Sequence, residues 1–508
     1  MPLLAHPSTI VCLYTLATAT VCGAAASTGT PPPAPVISPP DLPPCEIPLD
    51  PSCLRQQAAA LQQWGVEIRR QLHRFPELMY EEHRTSALVQ RVLTDLGIKH
   101  SAGWGRDRRA SLVDESLLEA LTEKGDTEEL HQMQQQAAGI PGTGVVAEIG
   151  TGKSPCVLLR ADMDALPIHE QAAVAFKSEL DGKMHACGHD AHTTMLLMAA
   201  AILKKNEASL KGTVKLVFQP AEEGGQGAQM MLEEGLLDML PSPLMAMGMH
   251  VFPELPTGVI ASREGPLMAA TARCVRLCSF HFEIVGSGGH GAMPAQTRDP
   301  IAACTAAVQN VYAIVAREND FAAVSSGFIS VTQIQAGSAF NIIPSECSLK
   351  GTLRAFTNEK LQELKLRLRQ VVQRTAEAFR CRLRVRRLLT NTPALHVHAG
   401  ALGAVGAVTG GRPVETMPPI YGGEDFAFVL DRVPGVFAFI GIGSGAQRKG
   451  HVPTSFGLHH QEFAIDEEAL EVGAAVEAQF AATAIEHLLQ QPSQQQQEEP
   501  QDKLYDDL

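Results

Sequence analysis

Residues Met184–Met195 have the sequence MHACGHDAHTTM and lead directly into a purely apolar helical run. They bring a thiol and two imidazoles, Cys187, His189 and His192, to the start of that helix, and Asp190 is the expected N-cap. A thiol and an imidazole two residues apart can face one cation in a tight turn, and both are borderline-soft ligands. A buried cysteine beside a histidine with satisfied hydrogen bonds explains the stretch equally well, so the rest of the chain must decide.

The composition is typical of a globular protein, since 45% of the 508 residues are hydrophobic and 19% are charged. This length predicts two or three domains. The formal net charge of −14 argues against a nucleic-acid partner. The 11 cysteines are irregularly spaced and do not form a secreted disulfide framework. Cys45 and Cys53 flank a Pro-rich turn and could pair in an oxidising compartment, whereas the others are interpreted as core or site thiols.

The two ends of the chain carry weak targeting signals. Ile10–Ala26 is apolar and ends in small residues, as in a signal peptide, but no Lys or Arg precedes Arg55. The alternative is a disordered leader. The last residues, Tyr505–Leu508, faintly resemble an ER-retention signal. We therefore expect the secretory pathway, the ER lumen or another organelle. No later stretch has the about 18 consecutive apolar residues of a membrane span, which predicts a soluble protein.

Apolar runs that indicate strands alternate with helical patterns, which predicts an α/β fold with a mostly parallel sheet. These runs are Gly144–Ile149, Cys156–Ala161, Val214–Phe218 and Leu244–Met249. Three of them are followed at once by chemistry-bearing side chains: Asp162 and Asp164, Glu222 and Glu223, and His250. Ligands and catalytic groups converge at the carboxyl edge of such sheets. We therefore expect these residues to form one site.

A second pattern begins near residue 272 and has the order βαββαβ, which predicts a ferredoxin-like sandwich. Its elements are a strand over Val275–Val285, a helix from Asp299 or Pro300 to about Arg317, strands over Ala323–Ile334 and Cys347–Phe356, a helix capped by Asn358 and running to about Phe379, and a strand over Arg382–Leu388. After residue 399 the α/β pattern returns, so this compact unit is expected to be an insertion.

Eight motifs occur in order along the chain: ADMDALP, MHACGHDAHT, QPAEEGG, GSGGHGAMP, SAFNIIP, GTLRAF, GGEDF and LHHQEF. Over roughly Leu54–Leu489 they resemble the amidohydrolase branch of the aminoacylase and carboxypeptidase-G metallopeptidase family. That branch includes hippurate hydrolases and the plant hydrolases that release indoleacetic acid from its amino-acid conjugates. The resemblance implies a zinc-peptidase-like α/β catalytic domain with an inserted ferredoxin-like dimerisation or lid domain.

The expected organisation follows from these patterns. In chain order it consists of a possible signal peptide (1–26), a Pro-rich linker (27–53), a first part of the catalytic domain (54–270) with a surface insertion (106–138), the inserted domain (271–392), a second part of the catalytic domain (393–489) and a disordered acidic tail (490–508).

The resemblance also implies a site for two divalent metal ions, manganese or zinc. Its ligands would be Cys187 as a bridging thiolate together with His189, Glu223, His250 and His459. His460 adjoins the last of these, which leaves open which ring of the doublet binds. Softness alone favours zinc, because the set contains a thiolate and imidazoles.

Glu222 is the expected general base. A metal ion lowers the pKa of bound water from 15.7 towards about 7, and a nearby carboxylate can then take its proton. The same carboxylate would later return the proton to the leaving amine. Asp164 is expected to orient a ligating imidazole, although Asp162 could play that part instead.

The inserted domain supplies three further residues by resemblance. His290, on a Gly-rich loop, would reach across a dimer interface and stabilise the oxyanion. Asn341 and Arg354 would hold the substrate carbonyl and carboxylate. The simpler explanation of the Gly-rich loop is a plain turn. The simpler explanation of Arg354 is a solvated strand residue.

The hypothesis that follows is a metal-dependent amidohydrolase that cleaves N-acyl amino acids, with indoleacetyl conjugates as one option, to a carboxylic acid and a free amino acid. The alternatives are a dipeptidase or carboxypeptidase of the same family and a non-catalytic binding protein on this scaffold. The expected partners are a small-molecule substrate and a second copy of the chain, with neither nucleic acid nor a membrane span.

Overall fold

The computed structural model describes residues 38–106, 141–271, 280–319, 326–388, 392–406, 415–443 and 454–490. The possible signal peptide, nearly all of the surface insertion and all but the first residue of the acidic tail lie outside the described residues. Within the described ranges, no helix combines the length and apolar character needed to cross a membrane.

Strands and helices alternate along much of the chain. The strands are β1 (Lys99–Trp104), β2 (Gly144–Gly150), β3 (Cys156–Asp162), β4 (Thr213–Gln219), β5 (Met245–Phe252), β6 (Ile260–Ser262), β7 (Gly265–Met268), β8 (Ala270–Thr271), β9 (Phe280–Val285), β10 (Gly289–His290), β11 (Gly327–Ala336), β12 (Ile342–Ile343), β13 (Glu346–Ala355), β14 (Arg382–Leu388), β15 (Leu395–Val397), β16 (Glu415–Thr416) and β17 (Gly435–Gly441). The helices are α1 (Pro51–Arg74), α2 (His83–Asp95), α3 (His189–Lys205), α4 (Gly227–Glu233), α5 (Pro300–Glu318), α6 (Asn358–Ala378), α7 (Ala399–Gly406), α8 (Ala427–Leu430) and α9 (Ala469–Gln490), with short 3-10 turns at Glu207–Ser209 and Pro294–Gln296.

The larger sheet has the strand order β1-β2-β4-β3-β5-β17-β6-β16. Its central strands β4, β3, β5 and β17 run parallel. Strand β2 pairs antiparallel with β1 and β4, and β6 pairs antiparallel with β17 but parallel with β16. All residues of β3, β4 and β17 are buried, as expected for strands covered on both faces. The prediction of an α/β fold with a mostly parallel sheet is confirmed.

Helix α3 is buried along almost its whole length, from His189 to Leu203, which explains why its sequence is apolar on every side from Met195 to Leu203. The expectation that Asp190 caps this helix is wrong. The N-cap is Gly188, with a φ of +85°, and Asp190 lies in the first turn. A Cβ atom at Gly188 would clash with the side chain of Val251, so both the left-handed backbone and the close approach require glycine.

A second hydrophobic core surrounds a five-stranded sheet with the order β11-β13-β9-β14, to which β8 adds by pairing with β13. Helices α5 and α6 contribute their apolar residues to this core, and the order βαββαβ is the one expected. Helix α6 is capped by Thr357, whose side chain accepts from the Lys360 N–H, and not by Asn358.

Two disulfides are present among the described residues, and one of them corrects the interpretation of the cysteines. Cys45 and Cys53 pair and tie the N-terminal segment to α1. Cys304 and Cys347 also pair and link α5 to β13 inside the second core, where core thiols were expected. Their separation of 43 residues conceals the pairing in the sequence, because only the packing of helix on sheet brings them together.

Candidate active site

The carboxyl ends of β3, β4 and β5 meet at one edge of the larger sheet. Asp162 is the last residue of β3, and Glu222 and Glu223 lie in the loop that follows β4. The sequence predicted that His250 comes directly after its strand. It lies inside β5 instead, because that strand continues to Phe252 by pairing with β17. Its ring still reaches the same edge, where it contacts the segment before α3.

The structure brings together the five side chains predicted as metal ligands. Cys187 Sγ lies 3.4 Å from His250 Nε2 and 3.3 Å from His459 Nε2. The Glu223 Oε1 atom is 3.2 Å from His459 Nε2 and 3.9 Å from His189 Nε2. Ligand-type atoms from four distant segments of the chain thus converge around one thiol.

Hydrogen bonds orient two of these rings. His189 Nδ1 lies 3.3 Å from Asp164 Oδ1, and His250 Nδ1 donates to the Val251 carbonyl at 2.7 Å. In both rings Nε2 therefore faces the cluster. Burial and the neighbouring His192 lower the pKa of His250 to about 3, so its Nε2 carries a free electron pair at neutral pH.

The cluster fits a divalent cation. His189 Nε2 is buried and has no hydrogen-bond partner among the described residues, an arrangement that costs free energy unless another group satisfies it. Burial and the nearby Glu223 raise the pKa of the Cys187 thiol well above its usual value. A cation reverses that preference, because it stabilises the thiolate. Thiolate, imidazole and carboxylate together suit a borderline-soft metal ion.

His192 has both ring nitrogens occupied and therefore differs from the five. Its Nδ1 donates to Asp162 Oδ1 at 2.6 Å, and its Nε2 accepts from the Val251 N–H at 2.9 Å. Asp162 Oδ1 thus binds His192 and its Oδ2 lies 3.6 Å from His189 Nε2, while Asp164 approaches His189 Nδ1. Asp164 also accepts the main-chain N–H groups of Glu222 and Glu223, at 3.0 and 2.9 Å, and so fixes the loop that carries both acids.

Sequence analysis missed a buried carboxylate group behind Glu222. Carboxylate oxygens of Glu222, Glu424 and Asp425 lie within 4.8 Å of one another. Arg160 Nη2 donates to Glu424 at 2.8 Å and to Asp425 at 3.1 Å, and its Nη1 donates to Asp162 at 2.8 Å. Burial and Glu222 raise the pKa of Asp425 to about 7. The available signal was Arg160 itself, because an arginine inside an otherwise apolar strand requires buried partners.

The structure distinguishes between the two adjacent histidines of the LHHQEF motif. His459 adopts a φ of +64° and turns its ring towards Cys187 and Glu223. His460 instead stacks on Phe456, with ring centroids 4.4 Å apart. A left-handed backbone is unfavourable for histidine and is commonly retained at functional sites. Ala221, directly before Glu222, is also left-handed, with a φ of +55°.

The residues predicted on the inserted domain lie elsewhere. His290 and Asn341 occupy neighbouring exposed segments, since β10 pairs with β12 and the Gly291 N–H donates to the Asn341 carbonyl at 2.9 Å. Within the described ranges, no hydrogen bond or ion pair joins either residue to the five clustered side chains. Arg354 donates from Nη1 to the carbonyl of Tyr421.

Comparisons with known proteins identify the family of the chain. Residues 158–483 match the peptidase family M20/M25/M40. The IAA-amino acid hydrolase ILR1-like 4 of Arabidopsis thaliana is 37% identical, over 82% of this chain and 85% of the relative. The N-acetylcysteine deacetylase of Bacillus subtilis (strain 168) is 32% identical, over 83% of this chain and 97% of the relative. The crystal structure of the Bacillus subtilis YXEP protein, described as a dinuclear metal binding peptidase from the M20 family, matches with a TM-score of 0.63 and 31% identity, over 84% of this chain and 99% of that one.

Proposed function

Since the chain belongs to the peptidase family M20/M25/M40, as its motifs predict, we propose that it hydrolyses N-acyl amino acids to a carboxylic acid and a free amino acid. It is a metal-dependent amidohydrolase of that family. One observation carries the proposal: Cys187 and His459, 272 residues apart in sequence, approach to 3.3 Å at the sheet edge that also holds Glu222 and Glu223. The substrate class is supported by the relatives, which are named as an amino-acid conjugate hydrolase and a deacetylase.

Two divalent ions, manganese or zinc, are the proposed cofactors. Cys187, His189, Glu223, His250 and His459 would hold them, with Cys187 as the shared ligand because its sulfur contacts two of the rings. When bound, such ions polarise a carbonyl group and lower the pKa of water. Asp164 and the Val251 carbonyl would keep the Nε2 atoms of His189 and His250 directed at them.

Glu222 is the proposed general base. Its carboxylate lies within 4.8 Å of ligand atoms of His189 and Glu223, so it is beside the proposed metal site without being needed as a ligand. It takes a proton from the attacking water and passes it to the nitrogen of the leaving amino acid. The hydrogen bonds from the Glu222 and Glu223 main chain to Asp164 hold it in place during both transfers.

The inserted domain is proposed to complete the site through a homodimer. His290 would stabilise the oxyanion, while Asn341 and Arg354 would bind the substrate carbonyl and carboxylate. Apolar side chains beside the β10–β12 pair support an interface, because Met293, Phe340 and Ile342 are 54%, 105% and 55% exposed. A second copy that covers them would bring His290 of one protomer towards the site of the other.

The two disulfides support maturation in an oxidising compartment such as the ER lumen. The proposed acyl groups are those of small N-acyl conjugates, with the indoleacetyl group taken from the plant relatives' names. Hydrolysis of dipeptides with free amino termini, but not of acylated amino acids, would instead indicate the dipeptidase alternative.

Glu222→Gln tests the proposal, because the substitution preserves size and removes the base. We expect kcat for an N-acetyl amino acid to fall about 10³-fold, within the usual range for a general base, while metal content by mass spectrometry stays at the wild-type level. The exposed Glu264→Gln variant is the control and should retain full activity. Wild-type turnover by the Glu222→Gln enzyme would remove Glu222 from this role.

A further inference from the structure

Tyr421 lies where the second sheet meets the loop that carries Glu424 and Asp425. Its ring packs on Phe356 with centroids 4.4 Å apart and meets Phe328 edge-on at 4.7 Å. Despite these contacts, 38% of the residue is exposed. The ring is therefore held by two aromatic neighbours while part of the residue remains open to solvent.

The main chain around this ring is fixed from two sides. The Ala269 N–H donates to the carbonyls of Ile420 and Gly422, at 3.1 Å each, and Arg354 Nη1 donates to the Tyr421 carbonyl. The Tyr421 hydroxyl is 3.2 Å from Ser326 Oγ. A ring held in this way loses little conformational freedom when a ligand packs on it.

The position of Tyr421 relative to Arg354 determines what that ligand can be. In the proposed function Arg354 binds the carboxylate of the amino-acid half of the substrate. The side chain of that amino acid is bonded to the α-carbon, which carries the carboxylate. Its first atom, Cβ, is therefore about 2.5 Å from the carboxyl carbon by ordinary bond lengths. A residue that contacts the side chain must therefore lie close to the guanidinium, and Tyr421 does so through its main-chain carbonyl, which accepts from Arg354 Nη1.

We propose that the Tyr421 ring, held by Phe328 and Phe356 beside Arg354, binds the side chain of the amino-acid half and makes the enzyme prefer conjugates of aromatic and large aliphatic amino acids. This inference rests on the proposed function. Apolar and aromatic groups gain most from such a surface. Lysine and arginine conjugates are disfavoured, since the neighbouring guanidinium repels a second cation.

The test compares metal-loaded wild type with Tyr421→Ala and Tyr421→Leu on N-acetyl-L-phenylalanine and N-acetyl-L-alanine. We expect the wild-type kcat/KM to favour the phenylalanine conjugate by about tenfold or more, and Tyr421→Ala to lower that ratio to near one. Tyr421→Leu, which keeps an apolar contact with Phe356, should lose part of the ratio. Phe379→Ala is the matched control, because Phe379 is also 38% exposed but lies at the end of α6. It should leave the ratio unchanged.

A binding measurement separates this inference from the proposed function. Calorimetry of the two N-acetyl amino acids against metal-loaded Glu222→Gln, with and without Tyr421→Ala, requires no turnover. The inference is supported if the phenylalanine compound binds more tightly than the alanine compound and Tyr421→Ala abolishes that difference. Absence of hydrolysis of both compounds by wild type would refute only the proposed function. An equal loss of affinity for both compounds, or an unchanged preference for the phenylalanine compound, would overturn the role of Tyr421.

Discussion

His189 and Asp190 are consecutive residues in the first turn of α3, yet they enter two different buried polar clusters. His189 joins Cys187, Glu223 and the other proposed ligands. Asp190 joins a second cluster, in which Arg69 Nε and His73 Nδ1 each lie 2.8 Å from its Oδ2 atom. Most side chains in both clusters are buried, although that of His459 is 52% exposed, so burial and charge alone do not distinguish a functional site from a structural one.

The two clusters differ in how completely their hydrogen bonds are satisfied. In the second cluster His73 Nε2 also reaches Glu170 at 3.1 Å, and Arg69 Nη1 reaches Glu467 at 3.2 Å. Although burial and Arg69 disfavour a charged ring, the hydrogen bonds to Asp190 and Glu170 raise the pKa of His73. Cations and carboxylates thus neutralise one another within the protein. In the cluster around Cys187, by contrast, the buried His189 Nε2 has no hydrogen-bond partner among the described residues, and a bound cation would satisfy it.

His185 is an exception near the second cluster. Both of its ring nitrogens are buried without a hydrogen-bond partner among the described residues, and its ring centroid is 6.5 Å from that of His73. Burial lowers its pKa to about 3, so the ring is neutral.

The largest expected effect comes from removing a member of the cluster around Cys187. His459→Ala removes a proposed ligand and should lower kcat/KM by about 10³-fold or more, with loss of bound metal measured by mass spectrometry. His460→Ala is the matched control, since its ring stacks on Phe456, and should keep both metal and activity. The reverse pattern would show that the ring at position 460 binds the metal in solution.

A smaller effect, on stability, is expected from breaking the second cluster. Asp190→Asn removes the buried carboxylate that Arg69 and His73 share and leaves them only Glu467 and Glu170, so it should lower the free energy of unfolding by about 3 kcal/mol in a denaturant titration, with metal content preserved. Asp181→Asn, which breaks an exposed pair with His169, should cost less than about 1 kcal/mol. Equal losses in the two variants would contradict the structural role of Asp190.

The pH dependence of that loss follows from the pKa of Asp190. Although burial acts against it, Arg69 and His73 lower this pKa from its ordinary value of 3.8. The stabilisation is therefore complete above pH 3.8 and is lost as the pH falls below it. The difference between Asp190→Asn and wild type should shrink in acid.

The smallest effect concerns a buried acid that belongs to neither cluster. Glu477 in α9 is buried, its Oε2 atom has no hydrogen-bond partner in the described part of the chain, and burial raises its pKa well above 4.5. The folded state therefore retains the proton, and stability falls as the pH rises above 4.5. Glu477→Gln should raise the free energy of unfolding by about 1 kcal/mol at pH 7.5 and have little effect near pH 4.

The exposed Glu486→Gln, on the same helix, is the control for that measurement and should bring no gain in stability. Destabilisation by Glu477→Gln at pH 7.5 would mean that an unidentified partner satisfies this carboxylate.

Much of the fold and of the donor set could be predicted from the sequence, because both depend on local patterns. The uniformly apolar run from Met195 to Leu203 indicates a buried helix, and acids placed directly after apolar strands indicate a shared sheet edge. The types of residue in eight ordered motifs identify the family. The βαββαβ order also follows from local periodicity, without knowledge of any contact between its elements.

The tertiary structure alone decided which residue of each adjacent pair faces which neighbours. Successive residues of a helix differ by about 100° in direction, so His189 and Asp190 must face different surroundings, and only packing shows which. The left-handed backbone at His459 likewise selects that ring over His460. The partners of Arg160 and the Cys304–Cys347 disulfide join residues far apart in sequence. Such pairings depend on how whole helices and sheets pack, and no local pattern encodes them.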